Sequence, residues 1–175
     1  MAIREILTEP NPTLREKSLL VEKVDKDLQI LMDDMLETMY AAPGIGLAAI
    51  QIGVPKRVIV LDIDQKKGIK NPIYFINPEI LNKSKNNSSY EEGCLSVPGQ
   101  FAEIERPDQC HIKYLDYYGE KKEIEAKGML ATCIQHEMDH LEGVLFIDYL
   151  SKLKKTMIIK KLSKQKKKTL ERIVV

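Results

Sequence analysis

The chain has 175 residues, 43% hydrophobic and 30% charged, which fits one soluble domain and excludes a disordered or collagen-like chain. Its 27 basic and 26 acidic residues leave a net charge of +1. That sum is uneven, because residues 152–172 hold ten Lys/Arg against Glu171 alone, while residues 1–151 hold 17 basic and 25 acidic residues.

No apolar run approaches the ~18 residues of a membrane span, and the start, Met1 to Leu7, lacks the basic-then-apolar plan of a signal peptide. A cytoplasmic protein with no membrane partner is expected. In chain order, the first strong pattern is Leu28, Leu31, Met32, Met35, Leu36 and Met39, a single stripe at the helical period. It predicts an amphipathic helix over 25–42, with Asp25 as N-cap and Pro43-Gly44 as the stop. Gly44–Gln51 then reads as a flexible apolar segment. Arg57–Ile63 and Ile73–Ile76 read as short strands, and Lys83–Ser89 as a polar loop. His111–Tyr118 and Lys122–Ala126 flank Gly119-Glu120 as a hairpin.

A second helix is expected over 128–142, apolar on nearly every side and therefore buried, and Gly143 ends it. Val144–Ile147 is expected to extend, and a basic helix to run from Leu150 onward. Strands mixed with helices, without regular βαβ alternation, indicate α+β: small mixed or antiparallel sheets around a buried helix. One domain is expected, with residues 1–151 as its catalytic body and 152–175 as a basic C-terminal helix.

The buried helix contains His136-Glu137-Met138-Asp139-His140, an H-E-x-x-H motif. Histidines four apart sit one turn above each other, about 40° apart around the axis, so both imidazoles reach one metal ion. Glu137 lies about 100° round from His136, beside that face, where a carboxylate takes a proton from metal-bound water without ligating the metal. Polar side chains on an apolar helix also need partners, and a metal provides them.

The third ligand is open from the residues alone. Cys94, Cys133, His111 and several acids compete. Cys133 shares the helix face, but 133 to 140 spans about 10.5 Å, too far for three ligands on one straight helix. It reads as a wall residue. Three cysteines are too few, and odd in number, for a disulfide framework, so free thiols or metal thiolates are expected. Gly44, Gly46 and Ala49 match G-x-G-x-x-A, with Asp62 eighteen residues past Gly44. The context argues against a dinucleotide site, because a helix rather than a strand precedes the glycines. Gln51, which ends the segment, is a candidate amide donor to a developing oxyanion.

Taken together, G-I-G-L-A-A-I-Q at 44–51, E-G-C-L-S at 92–96 and Q-H-E-M-D-H at 135–140 resemble the three motifs of the peptide deformylases. Ile6-Leu7 through Pro10-Asn11-Pro12-Thr13-Leu14-Arg15 is similar to their bacterial form, and the resemblance runs from residue 1 to about 151. It implies removal of the N-formyl group from the initiator methionine of new proteins, with release of formate. It also implies Cys94, His136 and His140 as metal ligands and Glu137 as the base, with Gln51 and the Leu95 N–H holding the oxyanion. Gly44, Ile45, Gly46, Gly93, Met129 and Cys133 would line the substrate cleft. The resemblance favours Fe²⁺ as the physiological metal, with Zn²⁺, Ni²⁺ or Co²⁺ as substitutes. Phe101 stands where related enzymes often carry arginine, so contacts beyond the methionine are expected to differ. The basic helix implies a ribosomal RNA partner through phosphate contacts, with a solvated helix packing Leu153, Met157, Ile158 and Leu162 as the plainer reading. A zincin-type endopeptidase and a metal-stabilised RNA-binding domain are the alternative readings.

Overall fold

In the computed structural model, which describes residues 2–65 and 68–173, helix α1 (Lys26–Ala41) begins where the sequence predicts. The Asp25 side chain accepts from the Leu28 N–H at 3.0 Å. Of the stripe, Leu28, Met32, Met35 and Met39 are buried and Leu31 and Leu36 half-buried. Each fully buried side chain of this size is worth roughly 1.5–3 kcal/mol.

The strands are β1 (Gly46–Ala48), β2 (Val58–Leu61), β3 (Ile73–Lys83), β4 (Asn87–Cys94), β5 (Val97–Pro107), β6 (Gln109–Leu115) and β7 (Lys121–Lys127). Five form an antiparallel sheet in the order β1-β2-β3-β6-β7, and β4 and β5 form a separate hairpin. Side chains alternate across the sheet. Val58 and Val60 join α1, while Ile59 and Leu61 join the second helix, α2 (Met129–Leu141). The sheet is thus covered on both faces.

A third cluster joins Val97 and Ile104 of the hairpin to Leu145, Phe146 and Ile147, and to Leu162 of α3 (Lys152–Ile173). Helix α2 contacts both the sheet and β5, so its polar residues face the hairpin. The fold is α+β, as expected, with antiparallel sheets around the buried helix. Among the described residues no helix is long and apolar enough to cross a membrane.

Four local expectations are corrected. Strand β3 continues past Ile76 to Lys83 through Pro78, because Asn77 takes φ +50° at a bulge and its side chain bonds Val21 N–H and C=O. The polar loop shrinks to residues 84–86, since Lys83 belongs to β3 and Asn87–Ser89 to β4. Residues 146–149 form a 3₁₀ turn instead of extending. Gly44–Gln51 is ordered rather than flexible, as strand β1 followed by a 3₁₀ turn with Leu47 to Ile50 fully buried. In α3, Ile158 and Leu162 pack on the body as the solvated-helix reading expects, but Leu153 and Met157 stay exposed. Residues 174–175 of the expected tail lie outside the described residues.

Candidate active site

Helix α2 carries His136, Glu137 and His140 into the interior, where each is buried. Cys94 arrives from the other side, at the end of β4, where the register shifts between Gly93 and Cys94. The sulfur lies 3.3 Å from His140 Nε2. One ligand atom from each of Cys94, His136 and His140 falls within 4.8 Å of the others, a spread one ion can bridge. The sequence left the third ligand open; this geometry brings Cys94 to the histidines.

The nearby charges explain why the trio is held ready. Glu92 sits two residues before Cys94, and its carboxylate meets His136 Nδ1 at 2.8 Å, which leaves Nε2 for a ligand. Arg106 grips Glu92 with two bonds, 2.6 and 3.0 Å, and donates to Asp139 at 2.8 Å. Tyr149 donates to the same Asp139 oxygen at 2.8 Å. Burial alone would raise the Glu92 pKa, but the hydrogen bonds with His136 and Arg106 outweigh it and hold the carboxyl ionised. Burial pulls His140 well below the ordinary imidazole range and keeps its lone pair free.

Burial also pushes the Cys133 thiol up to about 12 and Cys110 up to about 11. Both stay protonated, which agrees with Cys133 as a wall. His111 pairs with Glu123 at 2.8 Å on the outer sheet, away from the trio.

Glu137 is buried, and burial raises its carboxyl to about 7 against the lowering influence of His136. Its Oε2 has no hydrogen-bond partner among the described residues. Gly46 explains its placement: a Cβ there would collide with Glu137 Oε1 and lie 2.7 Å from Leu61. Gln51 accepts from the Ala48 N–H at 2.9 Å, and this fixes the direction of its amide. The NH₂ end then donates to Ser96 Oγ at 3.0 Å and faces Cys94 Sγ at 3.6 Å.

These groups border a cleft of about 470 Å³, lined by Gly44, Ile45, Gly46, Gln51, Gly93, Cys94, Leu95, Met129, Cys133, His136 and Glu137 among others. His140 stands behind them, within ligand range. Every expected site residue is therefore at the cleft or the trio. The Glu92–Arg106–Asp139–Tyr149 chain was not anticipated. Glu92 had one usable signal, because a strand's period of two aligns residue 92 with residue 94.

The donor set suits a divalent cation: a thiol, one imidazole kept neutral, and a second oriented by a carboxylate. The unpartnered Glu137 oxygen in the same cleft is what water chemistry requires. Such an arrangement places the chain among metal-dependent hydrolases. The polypeptide deformylase family model matches residues 3–156. A peptide deformylase of Pelagibacter ubique (strain HTCC1062) is 69% identical over 95% of this chain and 96% of its own length. That of Phenylobacterium zucineum (strain HLK1) is 63% identical over 95% of this chain and 99% of its own length.

The crystal structure of peptide deformylase from Ehrlichia chaffeensis superposes with a TM-score of 0.92 at 43% identity, covering 97% of this chain and 99% of that one. A second structure from that organism, in complex with actinonin, gives 0.89 at 45% identity, covering 94% of this chain and 98% of that one. The chain belongs to the polypeptide deformylase family. It is a metal-dependent hydrolase that removes the formyl group from the N-formylmethionine of nascent peptides. The endopeptidase and RNA-binding-domain readings fall away.

Proposed function

We propose that Cys94, His136 and His140 hold one divalent cation and that Glu137 is the proton-transfer residue of deformylation. The convergence of those three donors beside an unpartnered Glu137 oxygen carries this reading. When bound, the cation supplies Lewis acidity toward water and the formyl carbonyl. Glu137 accepts a proton from the attacking water at Oε2 and returns it to the methionine nitrogen as the C–N bond breaks, leaving the free amine and formic acid, whose proton passes to solvent or the amine to give formate. A carboxyl raised to about 7 suits both steps near neutral pH.

The Gln51 amide and the Leu95 N–H hold the oxyanion, each worth about 3–4 kcal/mol. For Gln51 the weak 3.6 Å contact to sulfur is the one given up, since the 3.0 Å bond to Ser96 is the stronger. Strand β1 is an edge strand, so its first residue, Gly46, offers backbone to an extended peptide, while Gly44 and Ile45 line the cleft just before it with the Gly44 N–H and C=O already bonded to Met39 and Gln65. Gly93, Met129 and Cys133 border the space for the methionine side chain. Fe²⁺ is the physiological ion of this reading, and Zn²⁺, Ni²⁺ and Co²⁺ are substitutes for a thiolate–imidazole set.

Residues 1–151 act as the catalytic body in the cytoplasm. The basic C-terminal segment, residues 152–175, docks on ribosomal RNA, supported by nine lysines along residues 152–168. Formate release from formyl-Met-Ala tests the chemistry. Glu137→Gln is expected to keep its metal and lose activity by orders of magnitude, and survival of activity would remove Glu137 from its role. Unchanged ribosome affinity at low salt after deletion of 152–175 would remove the docking role.

A further inference from the structure

At the end of the five-stranded sheet, where β3 begins and β6 stops, lies a second cavity of about 340 Å³. It shares no lining residue with the catalytic cleft. Four of the chain's seven tyrosines, Tyr74, Tyr114, Tyr117 and Tyr118, line it together with Asp116. Three of these rings meet as walls rather than as a parallel stack. Tyr74 and Tyr117 have centroids 4.9 Å apart at 58°, and Tyr117 and Tyr118 have centroids 5.3 Å apart at 80°. Tyr118 stays 76% exposed. With centroids so close, one small cation can sit within about 6 Å of more than one ring, the reach of a cation–π contact.

The charges around the rings favour a cation as well. Among the described residues the lining contains no Lys or Arg. Asp33 of α1 accepts from the Tyr117 hydroxyl at 3.1 and 3.2 Å, and no ion pair among the described residues involves it. Lys122, the cation beside Tyr114, is held by Glu120 at 3.0 Å and stands 3.8 Å from Asp116. Burial pushes the Tyr74 phenol up to about 12, and Asp33 adds to the rise. Burial raises Tyr117 and Tyr114 too, helped by Asp33 and Asp116 respectively. The rings therefore stay neutral in a negative field.

The kind of cation follows from the acceptors. Asp116 Oδ1 already accepts from the Tyr118 and Glu120 N–H groups, each at 2.9 Å. Asp33 already accepts from Tyr117. A primary ammonium is strongly hydrated and brings three donors, which this cavity would strip of water without replacing it. A methylated ammonium has few or no donors to satisfy and binds through aromatic faces.

We propose that this cavity binds a small organic cation bearing a methylated ammonium group, held by the tyrosine faces and the field of Asp33 and Asp116. It is a second site, independent of deformylation.

Because the chain contains no Trp, its tyrosine emission reads the cavity directly. The holoenzyme is titrated at constant ionic strength with choline, with ethanolamine, and with 3,3-dimethylbutan-1-ol, the uncharged carbon isostere of choline. Choline should saturate with a Kd on the order of 1 mM, and the other two should bind about tenfold more weakly or worse. Tyr118→Ala should weaken choline about tenfold and Asp33→Asn about threefold. The comparison of three probes on the native chain stands even where a variant fails to fold. Absence of choline saturation well above that concentration would overturn the proposal. So would equal binding of either other probe, or choline affinity within twofold of native in both variants.

Discussion

Helices α2 and α3 are products of the same chain with opposite relations to water. Nine of the thirteen residues of α2 are buried, including two histidines, a glutamate and a glutamine, whereas among the described side chains of α3 only Leu162 is buried. In α2 each buried polar group needs a partner, and the partners found reveal the chemistry: Glu92 for His136, Cys94 for His140, and an open oxygen on Glu137. On α3 the charges are largely solvated, and Lys155 is the one that pairs with the body, at Asp148. Burial makes a polar residue informative, and exposure leaves it ambiguous.

Substitutions should sharpen that contrast in graded fashion. The largest effect belongs to Glu137→Gln, expected to lower kcat by about 10³-fold or more with metal content unchanged, as read by formate release and elemental analysis. Arg106→Met comes next. It leaves Glu92 buried without its cation, and loss of one partner of such a pair costs about 3–5 kcal/mol, which urea denaturation would read. Glu92→Gln should instead weaken metal affinity about 10–100-fold through His136, measured by chelator competition. On the far helix, Leu162→Ala should cost about 2–4 kcal/mol because its side chain is buried against Phe146 and Ile147. Replacement of Lys164, Lys166, Lys167 and Lys168 by Ser should stay within about 0.5 kcal/mol per site, since all four are exposed.

A pH dependence distinguishes the root of α3 from its shaft. Burial alone would raise the Asp148 carboxyl, but Lys155, Arg15 and the Leu145 N–H together hold it below the ordinary range. A depressed folded pKa contributes stability above the unfolded value, near 3.9, and that stability is lost as pH falls through the lower folded value. Asp148→Asn should therefore flatten the acid limb of the stability curve below about pH 4, and an unaltered limb would show that the ion pairs contribute nothing.

The same rule explains what the sequence made legible. Helices α1 and α2, their caps and the H-E-x-x-H face are visible because 3.6-residue periodicity and buried histidines stand out locally. Strand β3 runs past the expected end at Ile76 because the Asn77 bulge carries it through Pro78, a long-range adjustment that local composition does not display. Hairpin β4–β5 hides because its residues are largely polar and it packs through few of them, Val97 and Ile104 foremost. Arg106 was unreadable as the partner of Glu92, since fourteen positions separate them and the hairpin register itself pairs Arg106 with Ser88 and Glu92 with Ala102. Gly44–Gln51 looked flexible from its glycines; the packing of α1 and α2 on its two sides orders it.

Cobalt titration is the most direct check on the thiolate and paired imidazoles. One Co²⁺ per chain should bind with a sulfur-to-cobalt charge-transfer band that disappears in Cys94→Ser and persists in Cys133→Ser. A band that survives loss of Cys94, or vanishes with Cys133, would contradict the ligand set.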